Sequence, residues 1–174
     1  MTIREIITVP NPLLKIISEP VKVIDDEVLS LIEDMIETMY AAPGIGLAAI
    51  QVGVPKRILV IDITRDDEAR NPLSFINPEI IDPTESLNSF EEGCLSVPGV
   101  WEEIERPDEC TVKYLDRDGV NQSVRCKGML ATVIQHEMDH LNGVVFVDHL
   151  SKLKRDRAIK KSIKSRNSET NSNE

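Results

Sequence analysis

A histidine-containing run near the end of the chain limits its possible folds more than any other feature. Two of the three histidines, His136 and His140, stand four residues apart within residues 135–140. On an α-helix this spacing puts both imidazoles on one face. Together they can bind one metal ion, with Glu137 beside it as a base. The pattern therefore predicts a helix that carries a metal-activated water and hydrolyses a carbonyl compound.

The residues around this pattern favour a metal site over the alternative, a surface helix whose His and Glu side chains face water. Residues 129–134 are almost wholly apolar, which predicts a helix that is buried. Polar side chains on a buried helix need partners, and a bound metal ion would satisfy the histidines directly. Asn142 and Gly143 predict that the helix ends there with a left-handed residue.

A catalytic metal site of this kind needs a third protein ligand beside an open position for water. Some HExxH peptidases place a histidine six residues after the second one, where this chain has Phe146. The other downstream candidates, none in a supporting pattern, are Asp148, His149, Asp156 and Glu169. Cys94, upstream, is the better candidate, although a single cysteine is more often a small buried apolar residue. Cys110 and Cys126, which lie in strand-like segments, are expected to be small buried apolar residues of this kind. No cysteine pair has CxxC spacing.

Three segments of the chain together resemble peptide deformylases. They are residues 44–51 (GIGLAAIQ), 92–96 (EGCLS) and 135–140 (QHEMDH). The segments stand in the order and at the separations typical of that family, and the similarity runs from near the N-terminus to Leu150. One such segment would be weak evidence, whereas three in register are strong.

The resemblance implies a role for each residue that matches a functional position of the family. The metal ligands are matched by Cys94, His136 and His140. Glu137 matches the general acid and base, while the Gln51 side chain and the Leu95 backbone N–H match the donors to the oxyanion. The positions that line the substrate cleft are matched by Ile45, Gly46, Glu92, Gly93 and Leu95, and the walls of the methionine side-chain pocket by Phe90, Met129, Thr132 and Val133.

The reaction that the resemblance implies is removal of the N-formyl group from the first methionine of a new polypeptide. A bound metal ion would lower the pKa of a water molecule, and Glu137 would take its proton and pass it to the leaving amine. The ion, Gln51 and Leu95 would stabilise the oxyanion, and formate would leave. A site with one Cys and two His can hold Zn²⁺, Fe²⁺, Co²⁺ or Ni²⁺, and the resemblance implies Fe²⁺.

Two residues depart from the pattern that many deformylases share. Ile50 stands where many members have proline, which alters the backbone before Gln51 but keeps that side chain. Trp101 stands where many have an arginine that meets the far end of the substrate. It either offers the substrate an apolar surface or packs partly buried in the fold. Arg106 and Asp139 also match family positions, and they either orient a metal ligand or the cysteine loop or form an ordinary ion pair.

The remaining pattern predicts an α+β fold, with largely antiparallel β-sheets around the HExxH helix and a further helix towards each end of the chain. A turn or short helix is expected at Asn11. A long helix is expected from Asp25 or Asp26 to about Tyr40, because apolar residues recur there at helical spacing. They are Val28, Leu31, Ile32, Met35 and Met39.

Several strands are expected between about Ile58 and Val124, beginning with residues 57–63. Turns should separate them at residues 71–72, 77–78, 82–83 and 118–119. Residues 44–51 could suggest a nucleotide-binding loop, but they lack its third glycine and the βαβ pattern that follows it. A tight apolar turn before a strand fits that segment better.

The composition predicts a single globular domain in the cytoplasm. A chain of 174 residues is long enough for one core. It has no run of the ~18 apolar residues that a membrane span requires and no secretory signal pattern at its start. The cysteines show no disulfide framework, which fits a reducing compartment.

Charge changes sign near residue 151 and predicts a separate C-terminal segment after a catalytic domain of residues 1–151. Those residues carry 12 basic and 27 acidic side chains, a net charge of −15, whereas residues 152–174 carry 8 and 3, a net charge of +5. We expect a basic helix, then a polar disordered tail from Ser165. Such a helix can bind RNA phosphates without sequence specificity, and the resemblance implies the ribosome near its exit tunnel. The alternative is a solvated charged helix.

Two other functions stay open at this point. An HExxH peptidase of another type would share the helix, but Phe146 and the candidate ligand Cys94 argue against it. A ribosome-binding protein without activity would explain the basic segment, but every residue that the chemistry needs is present. A deformylase hydrolyses formyl-methionyl peptides, whereas a peptidase of another type cleaves internal amide bonds. A metal assay separates both enzymes from a ribosome-binding protein without activity.

Overall fold

The computed structural model describes residues 2–64 and 68–171, with side chains up to residue 168, and has an α+β architecture. The helices are α1 (Asp26–Ala41), α2 (Gly128–Leu141) and α3 (Lys152–Asn171). The strands are β1 (Gly46–Ala48), β2 (Ile58–Ile61), β3 (Leu73–Ile81), β4 (Leu87–Cys94), β5 (Val97–Pro107), β6 (Glu109–Leu115) and β7 (Asn121–Lys127). Short 3₁₀ turns span Pro12–Lys15, Ala49–Val52 and Phe146–His149.

The first long helix, α1, begins and ends where its sequence pattern predicts. The Asp25 carboxylate caps it by accepting a hydrogen bond of 3.0 Å from the Val28 N–H. Asp26 and Glu27 in its first turn oppose the positive end of the helix dipole. The whole predicted apolar stripe is buried. Met35 and Met39 are therefore core residues.

Five antiparallel strands form one sheet in the order β1-β2-β3-β6-β7, and β4 and β5 form a separate hairpin. Helix α2 packs on one face of the sheet and α1 on the other. In β2, Leu59 and Ile61 join the core beneath α2, while Ile58 and Val60 join the core beneath α1. This strand is apolar throughout because successive side chains point to opposite faces and both faces are covered.

The prediction of a turn at residues 77–78 is wrong. Strand β3 continues through them with a shift of register between Ile76 and Glu79. Asn77 adopts a φ of +50° there, a conformation that asparagine tolerates better than most residues. Its side chain accepts a hydrogen bond of 2.7 Å from the Val21 N–H and donates one of 2.8 Å to the Val21 carbonyl. The asparagine thus binds the N-terminal segment to the sheet.

Helix α3 packs against β5 and is longer than the sequence analysis expects. Ala158 and Ser162 are buried on its inner face. Ser165 packs against Gly99 of β5, since a Cβ added to that glycine would lie only 2.6 Å from Ser165 Oγ. The helix continues to Asn171, so residues 165–171 are helical where a disordered tail was expected. Residues 172–174 lie outside the described residues. Among the described helices, none is both long and apolar enough to cross a membrane.

A buried aspartate ties the end of α1 to the segment that follows β2. Asp62 accepts hydrogen bonds of 2.5 Å from the Tyr40 hydroxyl and 2.9 Å from the Asn71 N–H. Burial would raise the pKa of Asp62, but the hydrogen bonds from Tyr40, Thr64 and Asn71 hold it below its usual value. The same surroundings raise the pKa of Tyr40 to about 12, through burial first and the hydrogen bond to Asp62 second.

Replacing Tyr40→Phe should lower the free energy of unfolding at pH 7 by about 1–2 kcal/mol, since a hydrogen bond to a charged group is lost. The folded-state pKa of Tyr40, about 12, exceeds the unfolded value of about 10. The advantage of the wild type should therefore hold below pH ~10 and disappear as pH rises to ~12. Urea unfolding of both proteins at several pH values measures it. A difference that stays constant over this range, or that persists in an Asp62→Asn background, would contradict the assignment.

Candidate active site

A cleft of about 500 Å³ opens between β1, the β4–β5 hairpin and α2. Every residue that the sequence analysis placed in the substrate cleft lines it, although these residues come from four separate parts of the chain. They are Ile45, Gly46, Phe90, Glu92, Gly93, Leu95, Trp101, Met129, Thr132 and Val133. Gln51, Cys94, His136 and Glu137 lie at its inner end.

Three side chains converge at and just behind the inner end of this cleft as a possible metal site. The ligand atoms of Cys94, His136 and His140 all lie within 4.8 Å of one another, and the Cys94 sulfur is 3.2 Å from His140 Nε2. Helix α2 brings the two imidazoles together, with ring centroids 5.2 Å apart. One thiolate and two imidazoles suit Zn²⁺ or Fe²⁺ and leave a position open for water or substrate.

The surroundings of the two imidazoles fit a bound cation. Burial holds the pKa of His140 well below its usual value, so this ring is neutral, the form that binds metals. Burial alone would also lower the pKa of His136, but Cys94 and Glu92 beside the ring hold it well above the usual value. The pocket therefore favours positive charge at His136, which a metal cation can supply as well as a proton.

Behind His136 lies an ion-pair network that the sequence analysis only partly foresaw. The Glu92 carboxylate accepts a hydrogen bond of 2.8 Å from His136 Nδ1. Arg106 donates to both oxygens of Glu92, at 2.6 Å and 3.0 Å, and to Asp139 at 2.8 Å. Burial would raise the pKa of Glu92, but the hydrogen bonds from His136 and Arg106 hold it below its usual value.

The network fixes the orientation of the His136 ring, which is a candidate metal ligand. A carboxylate can only accept hydrogen bonds, so Nδ1 of His136 carries a proton, and Nε2 is the nitrogen that could bind a metal ion in place of a second proton. The family resemblance places Glu92 in the cleft lining but does not predict its contact with His136. A signal was available, because Arg106 follows Val100 and Ile104 at even spacing in β5 and therefore shares their buried face.

Glu137 lies at the inner end of the cleft and is buried. Burial raises the pKa of its carboxyl group to about 7, so it can take up or release a proton near neutral pH. Its Oε2 atom has no hydrogen-bond partner among the described residues. Gly46 lies directly against the other oxygen, since an added Cβ there would be 2.5 Å from Glu137 Oε1.

The side chain of Gln51 is held in one orientation at the inner end of the cleft. Its Oε1 accepts a hydrogen bond of 2.8 Å from the Ala48 N–H, and its Nε2 donates to Ser96 Oγ at 3.1 Å. Nε2 also lies 3.6 Å from the Cys94 sulfur. Ile50, which precedes it, is fully buried in the core beneath α2. The departure from proline at this position therefore leaves the amide group of Gln51 directed at the candidate metal site.

Trp101 lies at the mouth of the cleft and is 64% exposed. Its ring covers Gly93, where an added Cβ would come within 2.7 Å of it. Such exposure fits the interpretation that Trp101 offers an apolar surface to a substrate better than the interpretation that it is a packing residue. Cys110 and Cys126, by contrast, are buried and unbridged in paired strands.

Comparison with known proteins gives consistent matches over nearly the whole chain. A family model described as polypeptide deformylase matches residues 3–156. The peptide deformylase of Maricaulis maris is 57% identical over 92% of each chain, and that of Rhizobium meliloti is 54% identical over 94% of each. The crystal structure of a peptide deformylase from Ehrlichia chaffeensis matches with a TM-score of 0.92 at 43% identity and covers 97% of this chain and 99% of that one.

Replacing Gly46→Ala should displace the Glu137 carboxylate, because the new methyl group would lie 2.5 Å from its Oε1. We expect formate release from a formyl-methionyl peptide to fall about 100-fold, the scale of effect that a 1 Å misplacement can cause. Metal content should stay at the wild-type level. The matched control is Gly119→Ala in the β6–β7 turn, where φ is +75°, which should lower stability and leave the rate unchanged. Full activity of the Gly46→Ala protein would refute the assigned position of Glu137.

Proposed function

The chain belongs to the peptide deformylase family, and on that premise we propose which residues carry out its reaction. As a member of this family it is a metal-dependent hydrolase that removes the N-formyl group from the N-terminal methionine of newly synthesised polypeptides and releases formate. The observation that carries the proposal is the convergence of Cys94, His136 and His140 beside the buried carboxyl group of Glu137.

Cys94, His136 and His140 hold one divalent metal ion in this proposal. The ion, when bound, supplies Lewis-acid chemistry, since it polarises the formyl oxygen and lowers the pKa of a water molecule. We propose Fe²⁺ as the working ion, although Zn²⁺, Ni²⁺ or Co²⁺ would fit the same ligands in preparations. Because a ferrous ion beside a thiolate is sensitive to oxidation, activity should decay in air faster with iron than with nickel.

Glu137 moves the proton during hydrolysis. Its carboxylate takes the proton from the attacking water and passes it to the amine of the leaving methionine. A pKa of about 7 suits both steps, because the group is then neither too weak as a base nor too weak as an acid near neutral pH. Burial beside Gly46 holds the carboxylate in one position, so that little reorganisation is needed.

Gln51 and Leu95 stabilise the negative charge that develops on the formyl oxygen. Gln51 donates from Nε2, whose direction is set by the bonds of the same amide to Ala48 and Ser96. Leu95 donates from its backbone N–H. Removing one such donor typically lowers the rate by ~10²–10³, so Gln51→Ala should be far more harmful than a change at the cleft mouth.

The rest of the cleft binds the peptide. We assign the methionine side chain to the apolar pocket walled by Phe90, Met129, Thr132 and Val133, and the peptide backbone to the neighbourhood of Ile45, Gly46, Glu92, Gly93 and Leu95. Trp101 at the mouth contacts residues beyond methionine. Arg106 and Asp139 act from behind the site, where they hold Glu92 and, through it, His136.

We further propose that residues 1–151 form the catalytic domain and act on nascent chains in the cytoplasm, and that the basic segment binds the ribosome. Helix α3 presents exposed lysines outwards while Ala158 and Ser162 face β5. An exposed row of lysines suits phosphate groups of RNA without sequence specificity. Because this helix covers part of the core, a test of binding must keep it in place.

The Glu137→Ala protein should retain its metal and lose formate release from formyl-Met-Ala-Ser by about 10²–10⁴-fold, the contribution typical of a general base.

Cys94→Ala should lose the metal, whereas Cys126→Ala, which alters a buried cysteine outside the ligand set, should retain it. Anaerobic Fe²⁺-loaded protein, a formate assay and elemental analysis provide the measurements.

Two results would contradict these roles. Substantial turnover by metal-loaded Glu137→Ala protein would remove that residue from the mechanism, and full metal occupancy in Cys94→Ala would remove the thiol from the ligand set. Wild-type protein that cleaves internal amide bonds and releases no formate would instead indicate an HExxH peptidase.

Reversing the charge of Lys154, Lys160, Lys161 and Lys164 to glutamate should leave hydrolysis of short formyl peptides unchanged, because these exposed side chains lie outside the cleft. Binding to ribosomes should weaken about tenfold or more and lose most of its dependence on salt. The control replaces the same four residues with arginine, which keeps the charge. Co-sedimentation with ribosomes measures both proteins, and equal binding would defeat the proposal for the basic helix.

A further inference from the structure

A continuous chain of hydrogen bonds leads from the surface to the metal site. It starts at His149, whose Nε2 lies 2.7 Å from Asp139 Oδ2. The same oxygen accepts a hydrogen bond of 2.8 Å from Arg106, which donates in turn to both oxygens of Glu92. Glu92 accepts from His136 Nδ1 at 2.8 Å. His149 is thus the outermost of five linked side chains.

The inner side chains of this hydrogen-bond network are buried, whereas the outer two are partly exposed. Arg106, Glu92 and His136 are each only 6% exposed, so their positions are set by packing. The Asp139 side chain is 23% exposed and that of His149 is 40% exposed. Asp139 could therefore rotate towards water if Arg106 were its only donor. A second donor on the same oxygen opposes that rotation, and His149 supplies it.

The short turn that carries His149 contacts the metal ligand a second time. Phe146, at the start of the turn Phe146–His149, stacks on the His136 ring with centroids 5.9 Å apart. Asp148 holds the turn by accepting a hydrogen bond of 2.8 Å from the Val145 N–H. One four-residue turn thus supports His136 directly through an aromatic ring and indirectly through the chain of hydrogen bonds.

We propose that His149 is a positioning residue for the metal site. By fixing Asp139 it holds the Arg106 guanidinium against Glu92, and Glu92 in turn keeps the Nδ1 proton on His136 and Nε2 directed at the ion. Partners of this kind orient ligands and raise their affinity for metal. The inference rests on the proposed role of His136 as a ligand and extends the network to a residue that does not touch the cleft.

Three substitutions of His149 separate hydrogen bonding from shape. His149→Gln can place an amide N–H near the position of Nε2 and keep the bond to Asp139. His149→Asn is too short to reach it, and His149→Leu fills similar space without a donor. The matched control is Arg155→Gln, which alters an exposed cation on the same side of the molecule, 4.0 Å from Asp148.

Zinc affinity of the metal-free proteins, measured by competition with a chromophoric chelator, is the main readout. We expect His149→Asn and His149→Leu to bind Zn²⁺ about tenfold more weakly, the lower end of the loss seen when such partners are removed. His149→Gln and Arg155→Gln should match the wild type within about twofold. The visible spectrum of the Co²⁺-loaded proteins should change for the first pair and not for the second.

Wild-type affinity in the His149→Asn protein, or equal losses in His149→Gln and His149→Asn, would overturn the proposal. If His149→Leu fails to fold, the comparison of the two polar variants still decides. A His136→Ala protein that keeps its zinc would refute the proposed ligand set instead, so this failure is distinguishable from that of the role of His149.

Discussion

The structure depends on one constraint, which is that α2 must bury two histidines and a glutamate inside the protein. Such groups are costly to bury unless each finds a partner. One side of α2 is apolar, and its Ala131 and Ile134 side chains pack on the sheet. The other side faces the β4–β5 hairpin, which supplies the sulfur of Cys94 and the carboxylate of Glu92. The hairpin therefore packs where its polar side chains can partner the buried histidines of α2.

The hairpin supplies both groups near the end of β4, where the pairing with β5 shifts register between Gly93 and Cys94. Glu92 and Cys94 stand two residues apart on β4 and reach His136 and His140 of α2, while Gly93 between them lies under the Trp101 ring. A single strand therefore delivers one candidate metal ligand and the hydrogen-bond partner of another, and both side chains line the same cleft. Arg106 on β5 then neutralises Glu92 from the same inner side.

Much of the fold and site could be predicted because the signals are local. Helix spacing predicts α1 and α2, and the N-cap of α1 is Asp25, one of the two aspartates predicted for that position. The prediction fails at Asn77, where a residue typical of turns instead accommodates an irregularity inside β3 and binds Val21. It also fails at the C-terminus, where a polar composition indicates disorder but the helix continues to Asn171. At Asn77 a contact with a distant residue overrides local preference, and at the C-terminus Ser165 and Arg166 contact Gly99 and Thr8 at the start of the added helical stretch.

The sequence by itself determined the helix with His136 and His140 on one face, the strands, and, through the family resemblance, the third candidate ligand. Only the tertiary structure decided that Glu92 pairs with His136, that Arg106 joins it to Asp139, and that His149 completes the network. The physical reason is the distance along the sequence over which each signal acts. Periodicity reports the direction of a side chain relative to its near neighbours, whereas the meeting of distant side chains is set by how whole elements pack around a shared core.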